Sequence, residues 1–170
     1  MNDTAQLPSR AVGQRGWFAR LRRWWRRQLD VPMVQLATPL EVVDLRHLVL
    51  RPGRPRESAV WSGDTDPETR HWTVIWAGEV VGVATVLARA EPTHLEHRWQ
   101  LRGMAVAPDA RGNRFGTALL ERIAADVGEP MWCNARETAK PFYEHHGWLC
   151  PGEPFEIPRI GPHYRMFTPL

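Results

Sequence analysis

The spacing of apolar residues changes several times along the chain, and these changes predict strands and helices in mixed order. Residues 33–38 are a short apolar run typical of a strand, and residues 38–50 have helical spacing behind a threonine and a proline. Two β-branched and aromatic runs within 71–89 meet at Ala77-Gly78-Glu79, which predicts a hairpin. The intervening stretch 51–70, with three prolines and two glycines, predicts a long ordered loop.

The second half of the chain continues this alternation of strands and helices. The predicted elements are a strand over 97–108, a helix that ends near residue 127, a strand over 131–135, a helix over 137–147, and two strands within 153–157 and 162–170. Helical spacing over 38–50 places Leu40, Val43, Leu45, Leu48 and Val49 on one face. This order of elements indicates a mixed α/β domain, which we assign to residues 33–170.

Composition and charge narrow the classes of partner. A chain of 170 residues with 43% hydrophobic residues is long enough to bury one core. Residues 1–33 hold seven arginines against Asp3 and Asp30, a balance of +5, so the remaining residues carry −2 of the net charge of +3. Because the basic character belongs to the first segment, we expect no nucleic-acid partner for the domain.

Residues 1–32 form a basic, tryptophan-rich extension. Over Trp17–Leu29, helical spacing separates an aromatic and aliphatic arc from an arc of five arginines. Several interpretations stay open for this amphipathic segment. It lies on an anionic membrane surface, it docks on a partner such as a second copy of the chain in a homodimer, or it covers an apolar patch of its own domain. Disorder and contact with nucleic acid are the other two alternatives for this segment.

The remaining composition predicts no membrane span, disulfide or metal site. No run of 18 apolar residues and no cleavable signal pattern occurs, so we expect a cytoplasmic protein. Cys133 and Cys150 are too isolated for a disulfide framework and are interpreted as packing residues. His94 and His97 have a spacing compatible with a metal but no third ligand, so no metal is expected.

The stretch RGNRFGTALLERIA, residues 111–124, places small and basic residues where a helix begins. The first turn of a helix has N–H groups without intrahelical partners and a partial positive charge. Arg111 adds formal charge, Gly112 and Gly116 permit close approach to the backbone, and Asn113 adopts turn geometry readily. The junction therefore predicts an anion site, although an ordinary strand-to-helix loop has similar residues.

Two segments, taken together, are more specific than either alone. LRGMAVAPDARGNRFGTALLERI resembles the strand, loop and helix that bind coenzyme A in the GNAT superfamily of N-acetyltransferases, and CNARETAKPFYEHHGW resembles that family's second segment. The resemblance extends over nearly all of residues 34–170. It implies a central mixed, mostly antiparallel sheet flanked by helices, acetyl-CoA as co-substrate, and an amine-bearing acceptor, a small molecule or a peptide.

The resemblance also implies roles for individual residues. The acceptor amine attacks the thioester directly, a backbone N–H on the bulged strand segment Met104, Ala105 and Val106 holds the acyl carbonyl, and Tyr143 protonates the departing thiolate. Asn134 either bonds coenzyme amides or caps the next helix. The implied coenzyme-binding loop and helix start comprise Arg111, Gly112, Asn113, Arg114, Phe115, Gly116 and Thr117. Arg114 stands where the family commonly has glycine, so its side chain either points away from the diphosphate or pairs with it.

The general base and the acceptor are less defined. His71, His163, Glu156 and Glu57 are candidates for the base, and water-mediated deprotonation is an alternative. The arginines of the predicted acceptor loops are either solvated or select an acceptor with a carboxylate or phosphate; they are Arg51, Arg54, Arg56 and Arg159. Two other functions stay open: an acyl-CoA-binding module without catalysis, and a protein that acts through its N-terminal segment.

Overall fold

The structure, a computed structural model, describes residues 31–170. The predicted helix over Trp17–Leu29 lies outside these residues, and the division into 1–32 and 33–170 stays a prediction. Within the described part, seven strands form one sheet in the order β1-β2-β3-β4-β5-β7-β6. They are β1 Met33–Ala37, β2 Arg70–Trp76, β3 Glu79–Ala88, β4 Trp99–Val106, β5 Met131–Arg136, β6 Phe155–Ile157 and β7 Gly161–Phe167.

Within this sheet only β4 and β5 are parallel, and every other neighbouring pair is antiparallel. The helices are α1 Pro39–Leu50, α2 Phe115–Val127 and α3 Lys140–His145. Short 3-10 helices occupy Arg56–Ala59, Pro108–Ala110 and Glu137–Ala139. The predicted mixed, mostly antiparallel sheet with flanking helices is confirmed. The predicted helix over 137–147 is shorter than expected because its first residues adopt the 3-10 geometry.

Helix α1 begins as its sequence predicts but buries a partly different face. The backbone N–H and the hydroxyl of Thr38 donate to the Glu41 carboxylate at 2.7 and 2.8 Å. The buried residues are Val42, Val43, Leu45 and Arg46, whereas Leu40 and Leu48 are exposed. The predicted apolar face is confirmed for Val43, Leu45 and the partly buried Val49 and is wrong for Leu40 and Leu48, because the buried side shifts toward Val42 and Arg46.

The predicted hairpin is present, and α2 packs against the strand that follows its turn. Ala77 and Gly78 both have positive φ, which matches the two-residue turn favoured between twisted strands. Helix α2 packs closely on β3, since a Cβ on Gly82 would lie 3.2 Å from the Leu119 side chain and 2.8 Å from Val74. This glycine therefore sets the distance between helix and sheet.

Arg46 anchors α1 through a buried polar network that no pattern in the sequence predicts. Its guanidinium is fully buried and donates to the Asp64 carboxylate and to the Thr85 hydroxyl, both at 2.6 Å. Arg102 donates to the other oxygen of Asp64 at 3.0 Å. Removing one partner of such a buried pair leaves an uncompensated charge and typically costs about 3–5 kcal/mol. The network fixes loop 51–70 against the sheet.

Candidate active site

The strands β4 and β5 are paired at one end and separate at the other. Their pairing covers only Trp99–Leu101 against Met131–Cys133, although β4 continues to Val106 and β5 to Arg136. Alternate backbone groups in the unpaired part of β4 point away from β3, and β5 does not reach them. The separation leaves an open cleft along one strand edge.

A bulge in β4 lies where this cleft begins. Between Arg102 and Ala105, β4 takes three steps where β3 takes two. Gly103 lies in the bulge with a φ of +63°, a conformation that glycine adopts without steric cost. Because a bulge redirects the residues that follow it, Met104–Val106 run along the cleft.

A cavity of about 410 Å³ occupies the cleft. Of the predicted site residues, its wall contains Met104, Ala105, Val106, Arg111, Asn134 and Tyr143. A shallower depression adjoins it at the start of α2, and its lining contains Val106, Arg111, Gly112, Arg114, Phe115, Gly116 and Thr117. Val106 and Arg111 border both hollows. The structure therefore brings these predicted residues together from β4, β5, α2 and α3.

Asn113 lines neither hollow, because its side chain turns back onto its own loop. Its amide donates to the carbonyl oxygens of Ala110 and Arg111 at 3.0 and 3.3 Å. These bonds hold the loop in the shape that precedes α2. Gly112 has a φ of +80° and open space around the position of a Cβ, so its backbone conformation explains the glycine. Asn113 thus shapes the loop rather than facing a ligand.

Arg114 precedes α2 in the left-handed conformation, with φ of +61° and ψ of 17°. This conformation is unfavourable by roughly 1–2 kcal/mol for a residue with a Cβ, which explains why glycine is suited to this position. No side chain of the described residues caps the helix start, so the first-turn N–H groups of α2 remain open to a ligand. Arg114 itself borders the depression at the start of α2. The helix start therefore has the geometry and charge of an anion site.

Gly116 serves packing more than access. A Cβ at this residue would lie 3.1 Å from the ring of Phe142, so the missing side chain lets α3 approach α2. His146 strengthens this contact. Its Nδ1 lies 2.7 Å from the Phe142 carbonyl and must donate to it, which leaves Nε2 to accept from the Thr117 hydroxyl at 3.0 Å. The role of His146 in tying α3 to the first turn of α2 was not visible in its sequence position.

Tyr143 is almost fully buried, with 7% of its surface exposed, and lies in the cavity wall. Its hydroxyl contacts the Met104 sulfur at 3.7 Å, and a thioether is a weak acceptor. Burial, and secondly the neighbouring Cys133, raise the pKa of Tyr143 well above its usual value. The phenol therefore keeps its proton at neutral pH. Burial also raises the pKa of the Cys133 thiol, which makes that group unreactive.

Asn134 lies within β5 and does not cap a helix, since the 3-10 helix before α3 begins after Arg136. Of the two alternatives for this residue, helix capping is therefore wrong. Its Oδ1 is buried and has no hydrogen-bond partner among the described residues. A buried polar atom without a partner calls for an explanation, and an amide N–H of a ligand in the cavity would supply one.

Of the four candidate bases, only His163 lines the cavity. His71 is buried with both ring nitrogens bonded, to Thr85 and to the Asp64 carbonyl, at 2.8 Å each. Glu57 and Glu156 are exposed on other surfaces and lie outside the cavity wall. His163 Nδ1 lies 2.8 Å from the Gly161 carbonyl and must donate to it. The neutral ring then carries its lone pair on Nε2, which has no partner in the described part of the chain.

The arginines around the cavity differ from those predicted. Arg56 pairs with Asp44 at 2.5 Å on the surface, and Arg54 donates to the Arg159 carbonyl at 2.9 Å; none of these three lines the cavity. Arg51 does. The cavity wall contains five arginines and, among residues 31–170, no carboxylate; the five are Arg51, Arg89, Arg102, Arg111 and Arg136. Arg102 and Arg136 lie in β4 and β5, and Arg89 directly follows β3. All three were missed because tertiary strand pairing sets their neighbours.

Within residues 31–170 there is neither a candidate membrane span nor a candidate metal site. No helix within residues 31–170 is long and apolar enough to cross a membrane. No group of three or more His, Cys, Asp or Glu residues in that range is placed to hold a metal ion. His94 and His97 instead pack against the ring of Phe167, and His97 Nε2 lies 2.9 Å from the Thr168 carbonyl.

The structure defines a mixed α/β domain with an open cleft between two separating strands and an uncapped helix start at one end of that cleft. Comparison with known proteins agrees with this class. The family model for the acetyltransferase (GNAT) domain matches residues 67–148. The uncharacterized N-acetyltransferase YitI of Bacillus subtilis (strain 168) is 31% identical over 135 residues, which cover 76% of this chain and 91% of YitI.

Solved structures share the fold at lower identity. Escherichia coli ElaA is 19% identical with a TM-score of 0.66, over 82% of this chain and all of ElaA. An aminoglycoside 6'-N-acetyltransferase complexed with coenzyme A is 16% identical with a TM-score of 0.63, over 80% of this chain and 96% of that one.

The chain belongs to the GNAT acetyltransferase family. It is therefore an acyltransferase, and the family's activity is transfer of an acetyl group from acetyl-CoA to amine-bearing acceptors.

Proposed function

We propose that the chain transfers the acetyl group of acetyl-CoA to the primary amine of its acceptor by direct attack, with both substrates bound together. The opening between β4 and β5 carries this proposal, because its unpaired strand edge leads from the buried hydroxyl of Tyr143 to the first turn of α2. The aminoglycoside acetyltransferase with the same fold is complexed with coenzyme A. That complex supports a coenzyme site in this fold.

The residues of the cleft fit such a co-substrate. The open N–H groups of the first turn, Phe115–Thr117, together with the guanidinium groups of Arg111 and Arg114, suit a diphosphate. The unpartnered Oδ1 of Asn134 suits an amide N–H of the pantetheine arm. Gly112 and Asn113 keep the loop in its open shape. Acetyl-CoA supplies an activated acyl thioester to this site.

The strand edge and Tyr143 have separate roles in the transfer. Backbone N–H groups within Met104–Val106 that point into the cleft stabilise negative charge on the acyl oxygen, and one such fixed donor is typically worth about 3–4 kcal/mol. Tyr143 protonates the departing thiolate, because burial raises its pKa and thus keeps the phenol protonated at neutral pH.

His163 acts as the general base. It lines the cavity from β7, and the Gly161 carbonyl holds its Nδ1 proton, so Nε2 is available to take the proton of the attacking amine. The ring is positioned by its own strand and needs no further partner. The amine is then activated on the side of the cavity where β7 and the α1 end meet.

The proposal is tested by incubating the full chain with acetyl-CoA and a panel of amines and peptides. Release of free thiol, together with acetylated acceptor identified by mass spectrometry, is the expected result, and calorimetry on the same material should detect acetyl-CoA binding. Binding without acceptor-dependent thiol release would instead indicate a non-catalytic acyl-CoA module. No heat of binding from well-folded protein would contradict the assigned site.

A further inference from the structure

Two guanidinium groups converge on one backbone atom in the cavity wall. Arg51 directly follows α1, and Arg136 is the last residue of β5. Nη1 of Arg51 and Nη2 of Arg136 each lie 3.0 Å from the carbonyl oxygen of Leu50. Neither arginine forms an ion pair with a carboxylate of residues 31–170. The wall thus holds two neighbouring cations without a counter-charge.

Capping of α1 explains only part of this arrangement. A cation near the last carbonyl groups of a helix is favourable, but one arginine is enough for that purpose. Each guanidinium has five N–H groups and directs one to Leu50, so most of its donors remain available. The pKa of Arg51 is lowered by burial and secondly by the charge of Arg136. The two positive charges therefore repel each other, and an anion bound between them would offset this repulsion.

The surroundings do not neutralise this charge. The guanidinium carbons of Arg46, Arg51 and Arg102 lie 4.3, 5.0 and 5.5 Å from the ring centre of Trp61. The buried carboxylate behind Trp61, that of Asp64, is already shared by Arg46 and Arg102. Asp64 therefore has no charge left for Arg51, which Trp61 contacts through its ring.

We propose that the acceptor is a small amine that also carries an anionic group, a carboxylate or a phosphate, bound by Arg51 and Arg136. This inference rests on the proposed acetyl transfer. Planar guanidinium groups bind such anions through paired hydrogen bonds. Arg136 lies directly opposite His163 in the pairing of β5 with β7. Directly opposed residues on neighbouring strands project side by side, so an anion held there places its amine beside the base.

The inference is tested with matched acceptors that differ only in the anion. Acetylation of 4-aminobutyrate is compared with that of its amide, and acetylation of O-phosphoethanolamine with that of ethanolamine, which separates a carboxylate source from a phosphate source. We expect kcat/KM for at least one anionic member to exceed that of its neutral partner by tenfold or more. Loss of one charge-assisted contact should reduce it roughly ten- to a hundredfold.

Arg51→Gln and Arg136→Gln are therefore expected to abolish the preference for the anionic acceptor over its neutral partner. Arg56→Gln is the matched control, because Arg56 belongs to the same loop but pairs with Asp44 outside the cavity. A second measurement is independent of turnover. Calorimetry on protein with bound coenzyme A compares N-acetyl-4-aminobutyrate with its amide, and O-phospho-N-acetylethanolamine with N-acetylethanolamine, in all four proteins.

The outcomes separate the two proposals. Equal acetylation of neutral and anionic amines, or a preference that survives both substitutions, would overturn the anionic acceptor and leave acetyl transfer in place. Absence of any acetylation would contradict the proposed function, and calorimetry would then decide the anion site. In that case, tighter binding of at least one anionic product that disappears with Arg51→Gln and Arg136→Gln supports the site. Equal or absent binding of every pair overturns it.

Discussion

The ring of Trp61 closes the space beside Gly103, so that a Cβ on this glycine would lie 2.9 Å from the Trp61 ring carbon Cζ3. The same Cβ would lie 3.0 Å from Nε of the buried Arg46. The bulge that directs β4 into the cleft is thus held by loop 51–70 and by α1. The geometry of the acyl site depends on this contact between a loop and a strand.

Gly103→Ala is expected to lower the free energy of unfolding by about 1–3 kcal/mol and to reduce kcat/KM, because the methyl group meets both Trp61 and a positive φ. Denaturant unfolding and the thiol-release assay measure the two effects. Gly53→Ala is the control, since Gly53 also has positive φ but no atom of the described residues within 4 Å of its Cβ position. Equal losses in both variants would show that packing against Trp61 is unimportant.

Tyr143→Phe is expected to lower kcat by roughly 10²–10⁴-fold with little change in acetyl-CoA affinity, because the ring stays packed and only the proton donor is lost. Steady-state kinetics and calorimetry measure these quantities. Tyr164→Phe is the matched control. Tyr164 lies on β7, its ring contacts the Lys140 ammonium group, and it is outside the cavity wall. Unchanged kcat in Tyr143→Phe would exclude the phenol as the acid.

His163→Asn is expected to lower kcat/KM for the acetylation of the acceptor, measured by thiol release. The side-chain amide that this substitution introduces can still donate to the Gly161 carbonyl, but it offers no ring nitrogen to accept a proton. His145→Gln, on the exposed side of α3, serves as control and should leave kcat/KM unchanged. An unchanged kcat/KM in His163→Asn would argue for deprotonation through water.

Arg114→Gly should raise the free energy of unfolding by up to about 1 kcal/mol, because glycine adopts the observed φ of +61° without strain. Its effect on acetyl-CoA affinity reports whether the guanidinium contacts phosphate. We expect Arg114→Glu to weaken binding at least tenfold, measured by calorimetry, because it reverses charge at the anion site. Unchanged affinity in the glutamate variant would mean that the side chain points away from the diphosphate.

Glu91 makes the free energy of unfolding depend on pH in the acid range. Burial alone would raise its pKa, but hydrogen bonds from Thr93, His94 and Arg165 lower the pKa from 4.5 to about 2. A lowered pKa stabilises the fold fully above pH 4.5, and this contribution is lost as the pH falls toward 2. The change amounts to about 3 kcal/mol.

Glu91→Gln should therefore remove about 3 kcal/mol of the decline in the free energy of unfolding between about pH 5 and pH 2. Denaturant unfolding across that range measures the difference from the parent chain. Glu129→Gln is the control, because its pair with Arg98 is 3.8 Å long and half-exposed, and such pairs contribute little. Parallel curves for the parent chain and Glu91→Gln would contradict the assignment.

The sequence correctly predicted those structural features that depend on residues close together in the chain. The hairpin at Ala77-Gly78 follows from turn chemistry, and the start of α1 follows from the capping pair Thr38 and Glu41. The loop before α2 was predicted as an anion site because helix starts with small residues bind anions, and this role stays a prediction. The burial of Arg46 was not predicted, because a hydrophobic pattern carries no sign that a cation is buried beside Asp64.

The sequence by itself determined the order of strands and helices, because the residue spacing that decides each element is local. The coenzyme-binding loop and the acid Tyr143 are implied by motifs that resemble those of the family, and both stay predictions. Only the tertiary structure decided which distant residues share the cavity. Arg51, Arg136 and His163 lie far apart in sequence and are neighbours because α1 ends over β5 and β7 pairs with β5. Strand pairing joins residues of large sequence separation, and no local pattern records that choice.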